Sequence, residues 1–267
     1  MGELPTAVLA VQATRFERGV AIGVTVHHAV ADGRSLWTFA AATAPCFDRS
    51  LVNLPGGEEL TRSVLRKFTP NLPSPCFLLV SRRTFTVGGQ GIQRLKQRIV
   101  RLGEAPQSTF AAAVALAWAC FARCKPFASD DQLLLFFFAD VRDRLDPPVD
   151  AGRELRGERA LAAAVRDEVR KMREVPVARW DFVTPLWKEG SMHRLMNVSG
   201  SPRFTAYEDA DFGWGKPTRT EPIRMNHDGQ VALMGAGDGH GGVQMSVSLL
   251  QPAQMDLFKS HFLDLLG

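Results

Sequence analysis

Seven residues, HHAVADG from His27 to Gly33, place a histidine, a carboxylate and a glycine where a hydrophobic strand gives way to an apolar helical stretch. Val20, Ile22, Val24 and Val26 recur at every second position, and that alternation carried forward aims His28 into the protein and turns Thr25 and His27 away. Asp32 follows four residues later, and Gly33 supplies a position where a tight turn costs little. Arg34 to Ala41 then reads as a helix with Leu36, Phe39 and Ala40 as its apolar stripe. An imidazole with its ordinary pKa of about 6.5 suits a general base acting on a hydroxyl or amine in a cleft. The structural alternative is a histidine hydrogen-bonded between strand and helix, with Asp32 capping the helix or pairing with an arginine. A zinc site requires three or four convergent ligands, and no further His, Cys or carboxylate stands at a compact spacing here.

A second constellation, DFGWGKP, runs from Asp211 to Pro217. Gly213 and Gly215 flank Trp214 and allow backbone to approach a large ring closely, while Pro217 ends any regular ladder beyond Lys216. Packing accounts for much of that pattern.

The elements around these motifs follow from periodicity. A short strand is expected at Phe77 to Val80, an amphipathic helix at Gly91 to Leu102, and a helix at Thr109 to Cys124 capped by Ser108, with Phe110, Val114, Ala117 and Phe121 buried. Leu133 to Ala139 reads as a buried strand, too short to cross a bilayer. Glu158 to Met172 is expected to be a charged helix. Val231 to Met234 and Val243 to Leu249 read as a hairpin around a glycine-rich turn, Gly235 to Gly242, which lacks the Lys-Ser/Thr ending of a phosphate-binding loop. Met255, Phe258, Phe262 and Leu265 give a helical face to Pro252–Leu265.

With 267 residues and 45% hydrophobic composition, the chain can fill one large domain or two small ones. A formal charge of +4 with dispersed basic residues gives little support to nucleic-acid binding. No N-terminal signal-like core and no membrane-length run is seen, so the expected setting is the cytosol. Cys46, Cys76, Cys120 and Cys124 lack metal spacing and read as reduced core thiols.

HHAVADG and DFGWGKP together, in that order, resemble the two signatures of the plant BAHD acyl-CoA-dependent acyltransferases. LAVQATRF near the start, FDRS at Phe47 to Ser50, ADVRDRLDPP from Ala139 to Pro148 and NVSGSPRFTAYEDADFGWGKP extend the resemblance over nearly the whole chain. The SPRF, tyrosine and DFGWGKP combination is most similar to the branch that transfers malonyl or aromatic acyl groups to anthocyanins and phenolic glycosides.

The resemblance implies an α/β, chloramphenicol-acetyltransferase-like two-domain acyltransferase with its active site in a tunnel between the domains. It assigns His28 as the base that deprotonates the acceptor hydroxyl, with acyl-CoA as co-substrate, no permanently bound cofactor and no metal. Trp214 is associated with oxyanion support. Asp32 orders the loop through an arginine, with Arg142 the candidate partner and Arg144 its neighbour; Asp211, like Gly213 and Gly215, is structural. Ser108 and Thr109 lie near the CoA end of the tunnel, and serve equally well as helix-start residues.

Against the family pattern, the chain begins just upstream of HHAVADG, and AGRELRGERALAAAV follows DPPVD where a tyrosine-phenylalanine-glycine-asparagine strand is usual. The expectation is a truncated product: residues 1–75 a remnant of the N-terminal catalytic domain and crossover, residues 76–267 mainly the C-terminal domain, and a segment near 211–235 crossing back. Family members are usually monomeric, whereas an incomplete first domain predicts exposed apolar surface and self-association. The competing expectation is therefore an inactive fragment or partner-binding pseudoenzyme. A serine hydrolase built on His28 and Asp32 is weaker, since no nucleophile-elbow pattern accompanies them.

Overall fold

The computed structural model describes residues 9–28, 31–41, 80–102, 105–129, 131–138, 191–211, 215–223 and 225–267. Strands β1 (Leu9–Phe16) and β2 (Gly19–Val26) form an antiparallel two-stranded sheet. Its register sets Leu9, Val11 and Ala13 opposite Val26, Val24 and Ile22, so one face is an apolar row. That row is only partly covered, with Val11 58% and Val20 42% exposed. Helix α1 (Gly33–Ala41) follows directly.

The second sheet has five strands: β3 (Ser81–Val87), β4 (Leu134–Phe137), β5 (Leu195–Gly200), β6 (Gln230–Gly235) and β7 (Val243–Leu249), in the order β3-β7-β6-β5-β4. β7 is antiparallel to both β3 and β6, whereas β6, β5 and β4 run parallel. Helices α2 (Gly89–Arg101), α3 (Thr109–Cys124) and α4 (Pro252–Leu266) bury one face of it.

Strand β7 explains the layering. Its odd residues Val243, Met245, Val247 and Leu249 join the core with Phe121, Phe258 and Phe262. Its even residues Gln244, Ser246 and Ser248 are equally buried on the opposite face, where each finds a hydrogen-bond partner: Tyr207, Thr84 and the His227 carbonyl. A second helix layer would leave those polar groups unsatisfied, so the connection before β6 supplies the cover.

Local chemistry places the ends of the elements. Ser108 Oγ accepts from the Ala111 N–H at 3.1 Å, as expected of an N-cap. Pro252 opens α4 at a position where no N–H is needed. The glycine-rich turn between β6 and β7 is held by Asp238, whose carboxylate accepts from the N–H groups of Gly89, His240 and Gly242 at 3.0, 3.1 and 3.1 Å. Gly229, at φ +77°, has the Leu195 carbonyl oxygen 2.3 Å from where a Cβ would stand.

Of the expected strand Phe77–Val80, residues 77–79 lie outside the described residues, and Val80 stands just before β3. β3 begins at Ser81, which pairs with Leu249, the last residue of β7. Pro252 starts α4 soon after, so the ladder offers Val80 no partner there. The expected helix at Glu158–Met172 lies outside the described residues, as do Cys46 and Cys76. Strand β5 was not anticipated from periodicity; its buried Leu195, Met196 and Val198 break strict alternation, as in a strand covered on both faces.

Cys120 and Cys124 are free and buried. Desolvation pushes the Cys120 thiol up to about 12 and the Cys124 thiol up to about 11. Among the described residues no helix is long and apolar enough to cross a membrane, and no group of three or more His, Cys, Asp or Glu could hold a metal ion.

Candidate active site

His28 stands two residues beyond the end of β2, in a turn, and is exposed. The expectation that it extends the inward row is therefore corrected: the pairing ends at Val26 opposite Leu9, and strand alternation does not govern a turn residue. His27 is exposed as well.

Asp32 adopts the capping arrangement. Its Oδ1 accepts from the Ser35 N–H at 2.7 Å while its carbonyl accepts from the Leu36 N–H at 3.0 Å, so the carboxylate fixes the first turn of α1. The motif thus has a rigid frame downstream of the histidine. The arginines expected to pair with Asp32, Arg142 and Arg144, lie outside the described residues.

The glycine after Asp32 faces a ring. A Cβ on Gly33 would stand 3.2 Å from Phe204 Cε2, which draws the loop before DFGWGKP against the start of α1. Arg34, Trp37, Thr38 and Ala41, one face of α1, and Arg203, Phe204, Thr205 and Asp209 from that loop line a pocket of about 240 Å3.

The loop itself is fastened to the sheet. Tyr207 Oη donates to Gln244 Oε1 at 2.5 Å and accepts from the Thr220 N–H at 3.1 Å, while Gln244 Nε2 donates to the Thr220 carbonyl at 2.7 Å. Between these anchors, Asp211 Oδ1 accepts from the Gly215 N–H at 3.0 Å, and Gly215 stands at φ +91°. Gly213 and Trp214 lie outside the described residues.

Ser108 and Thr109 start α3, away from HHAVADG in sequence, and Thr109 Oγ1 accepts from Lys96 Nζ at 2.9 Å. Lys96 was not among the residues singled out from the sequence. Its signal, a lysine on the polar face of α2, is shared by most amphipathic helices. Likewise Arg203 and Phe204 stood out only as part of a motif.

A family model described as the Transferase family matches residues 3–154 and 157–265. The chain belongs to the BAHD acyltransferase family. Among BAHD relatives, phenolic glucoside malonyltransferase 2 of Arabidopsis thaliana is 29% identical, the alignment covering 94% of this chain and 66% of the relative. Agmatine coumaroyltransferase of Arabidopsis thaliana is 28% identical, covering 98% and 69%. The malonyl-coenzyme:anthocyanin 5-O-glucoside-6'''-O-malonyltransferase of Salvia splendens is 26% identical, covering 91% and 62%. This BAHD chain thus spans about two thirds of the length of the curated relatives it matches.

Solved structures share its α/β fold. Vinorine synthase superposes with a TM-score of 0.64 at 23% identity, covering 97% of this chain and 66% of that one. The F. sporotrichioides TRI101, crystallised with coenzyme A and T-2, gives 0.60 at 16% identity, covering 97% and 70%.

Proposed function

We propose that this chain is an acyl-CoA-dependent O-acyltransferase that moves a malonyl or hydroxycinnamoyl-type group from the CoA thioester to a hydroxyl of a plant phenolic or phenolic glycoside, with His28 as general base. The observation that carries it is the HHAVADG frame. Asp32 pins the first turn of α1, and His28 stands four residues before it on a solvent-accessible turn.

The His28 imidazole accepts the acceptor's hydroxyl proton as the oxygen attacks the thioester carbonyl carbon. The carbonyl becomes an oxyanion, which the resemblance assigns to Trp214 for support. Collapse of the tetrahedral intermediate breaks the C–S bond, and the imidazolium returns its proton to the departing thiolate. No acyl-enzyme forms. The resemblance puts Ser108 and Thr109 near the CoA end of the tunnel, and Lys96 beside Thr109 at the N-terminus of the 16-residue α3 gives cationic charge and a favourable helix terminus for phosphate groups of CoA. The setting is proposed as cytoplasmic, with residues 1–75 as part of one domain and residues 76–267 mainly forming the other.

A second reading is favoured by the hairpin. Its two-stranded sheet exposes Leu9, Val11 and Val20 on one apolar face, as expected of an inactive fragment or partner-binding pseudoenzyme.

Acyl transfer by purified wild type and His28→Ala separates the two, with malonyl-CoA and an aromatic acyl-CoA offered to phenolic glucosides and circular dichroism verifying the fold. Product from the wild type alone supports the acyltransferase. No product from a folded wild-type chain supports the second reading.

A further inference from the structure

Helix α2 is fastened at its start by a residue from far along the chain. Its N-cap position, Gly88, brings no side-chain hydrogen bond, and its first turn holds no acidic residue. The carboxylate that serves it is Asp238, in the turn between β6 and β7. Oδ2 accepts from the Gly89 N–H at 3.0 Å, while Oδ1 accepts from the His240 and Gly242 N–H groups at 3.1 Å each. One oxygen thus ties the turn to itself and the other ties it to the helix. The joint is close-packed: a Cβ on Gly89 would stand 2.0 Å from the His240 carbonyl oxygen, and one on Gly242 would stand 2.3 Å from Asp238 Oδ2. An anion at the positive end of α2 does there what a local Asp or Ser cap does elsewhere.

The rest of α2 is held less firmly. Its buried residues, Gly89, Gly91 and Ile92, all fall within the first four positions, whereas Gln97, Arg98, Val100 and Arg101 are exposed. Leu95 packs against the core only in part. Polar contact beyond the first turn comes from Lys96, whose Nζ donates to Thr109 Oγ1 at 2.9 Å, and from Arg98, which donates to the Leu265 carbonyl at the exposed surface. Lys96 stands about 10 Å further along the helix axis than Gly89. The setting of α2 at Gly89 therefore decides whether the Lys96 ammonium reaches the start of α3.

We propose that Asp238 is a positioning residue for CoA: by capping α2 from the β6–β7 turn, it holds Lys96 beside Thr109, where the pair meets a phosphate group. The role rests on the acyl-CoA reading for the identity of the ligand. Asp238 makes no contact with CoA itself. Its oxygens are occupied by three backbone N–H groups, and a carboxylate placed against a phosphate would repel it.

The test is CoA binding to the purified 267-residue chain by calorimetry, with pantetheine, which carries no phosphate, as the control ligand and circular dichroism verifying the fold. Lys96→Met and Asp238→Ala should each weaken CoA about tenfold, the loss of one charge-assisted contact, and leave pantetheine unchanged. In the double variant the losses should not add, because Asp238 acts through Lys96. Asp238→Asn keeps an acceptor for the Gly89 N–H and should lose only about threefold. That smaller loss should vanish in the Lys96→Met background, so the cycle stays informative if Asp238→Ala does not fold. A purely structural role would act alike on both ligands and in both Lys96 backgrounds. Unchanged CoA affinity in a folded Asp238→Ala, strictly additive losses, or an equal loss for pantetheine overturns the positioning role and leaves the acyl-CoA reading standing. A folded wild type that binds no CoA overturns both. Coupled losses in a chain that transfers no acyl group support the role and remove only the transfer step.

Discussion

The edge of the Phe204 ring occupies the space into which a side chain on Gly33 would project, with Cε2 3.2 Å from the position of a Cβ. The glycine of HHAVADG therefore has a packing reason besides its freedom in a turn. Gly33→Ala should change stability by less than about 1 kcal/mol, because improved helix propensity offsets the crowding. Gly33→Val should cost about 1–2 kcal/mol through overpacking, and adding Phe204→Ala should recover part of it. Urea denaturation of the three variants checks this; a Val variant as stable as wild type would show that the ring yields freely.

Lys125 and Asp228 form a buried ion pair. Nζ lies 2.7 Å from Asp228 Oδ2, also donates to the His193 carbonyl at 2.9 Å, and sits 4.5 Å from the Phe121 ring centroid; the side chains are 3% and 13% exposed. Removing either partner leaves the other charge uncompensated, so Lys125→Met and Asp228→Asn are each expected to cost about 3 kcal/mol or more. The Lys125→Met/Asp228→Asn double variant should cost less than the sum of the two single losses. Strictly additive losses in a double-mutant cycle would contradict coupling.

Burial alone would raise the Asp238 carboxyl, but the N–H groups of His240, Gly89 and Gly242 outweigh it and hold the group below its usual 3.8. A depressed folded value means that the stabilisation is complete above the unfolded value and is lost as pH falls through the folded one. Lowering the pH from about 5 to about 3 should therefore cost wild type more stability than Asp238→Asn. Parallel urea midpoints for the two proteins across that window would rule this out.

Cys120 and Cys124 should resist alkylation in the native chain, since burial keeps both thiols protonated at neutral pH. Iodoacetamide followed by peptide mass mapping should find both unlabelled without denaturant and labelled in urea. Native labelling of Cys120 would mean that the α3 core opens readily.

Much of the second sheet was legible because its signals are local. Ser108 before an alanine-rich run marked α3, and the glycines of 235–242 between two apolar runs marked the β6–β7 hairpin. The site was legible in types and order, but not in placement. Alternation could not show that β2 ends at Val26 and leaves His28 in a turn. Nor could spacing bring Phe204 to Gly33 or Lys96 to Thr109, contacts fixed by tertiary packing.

Gln244 receives Tyr207 and holds Thr220 with a single amide, so the chain between those two residues begins and ends at the same point on β7. Strand β7 thus acts as the common footing for both ends of the stretch that carries DFGWGKP, so a change at Gln244 is felt at two places in the chain at once.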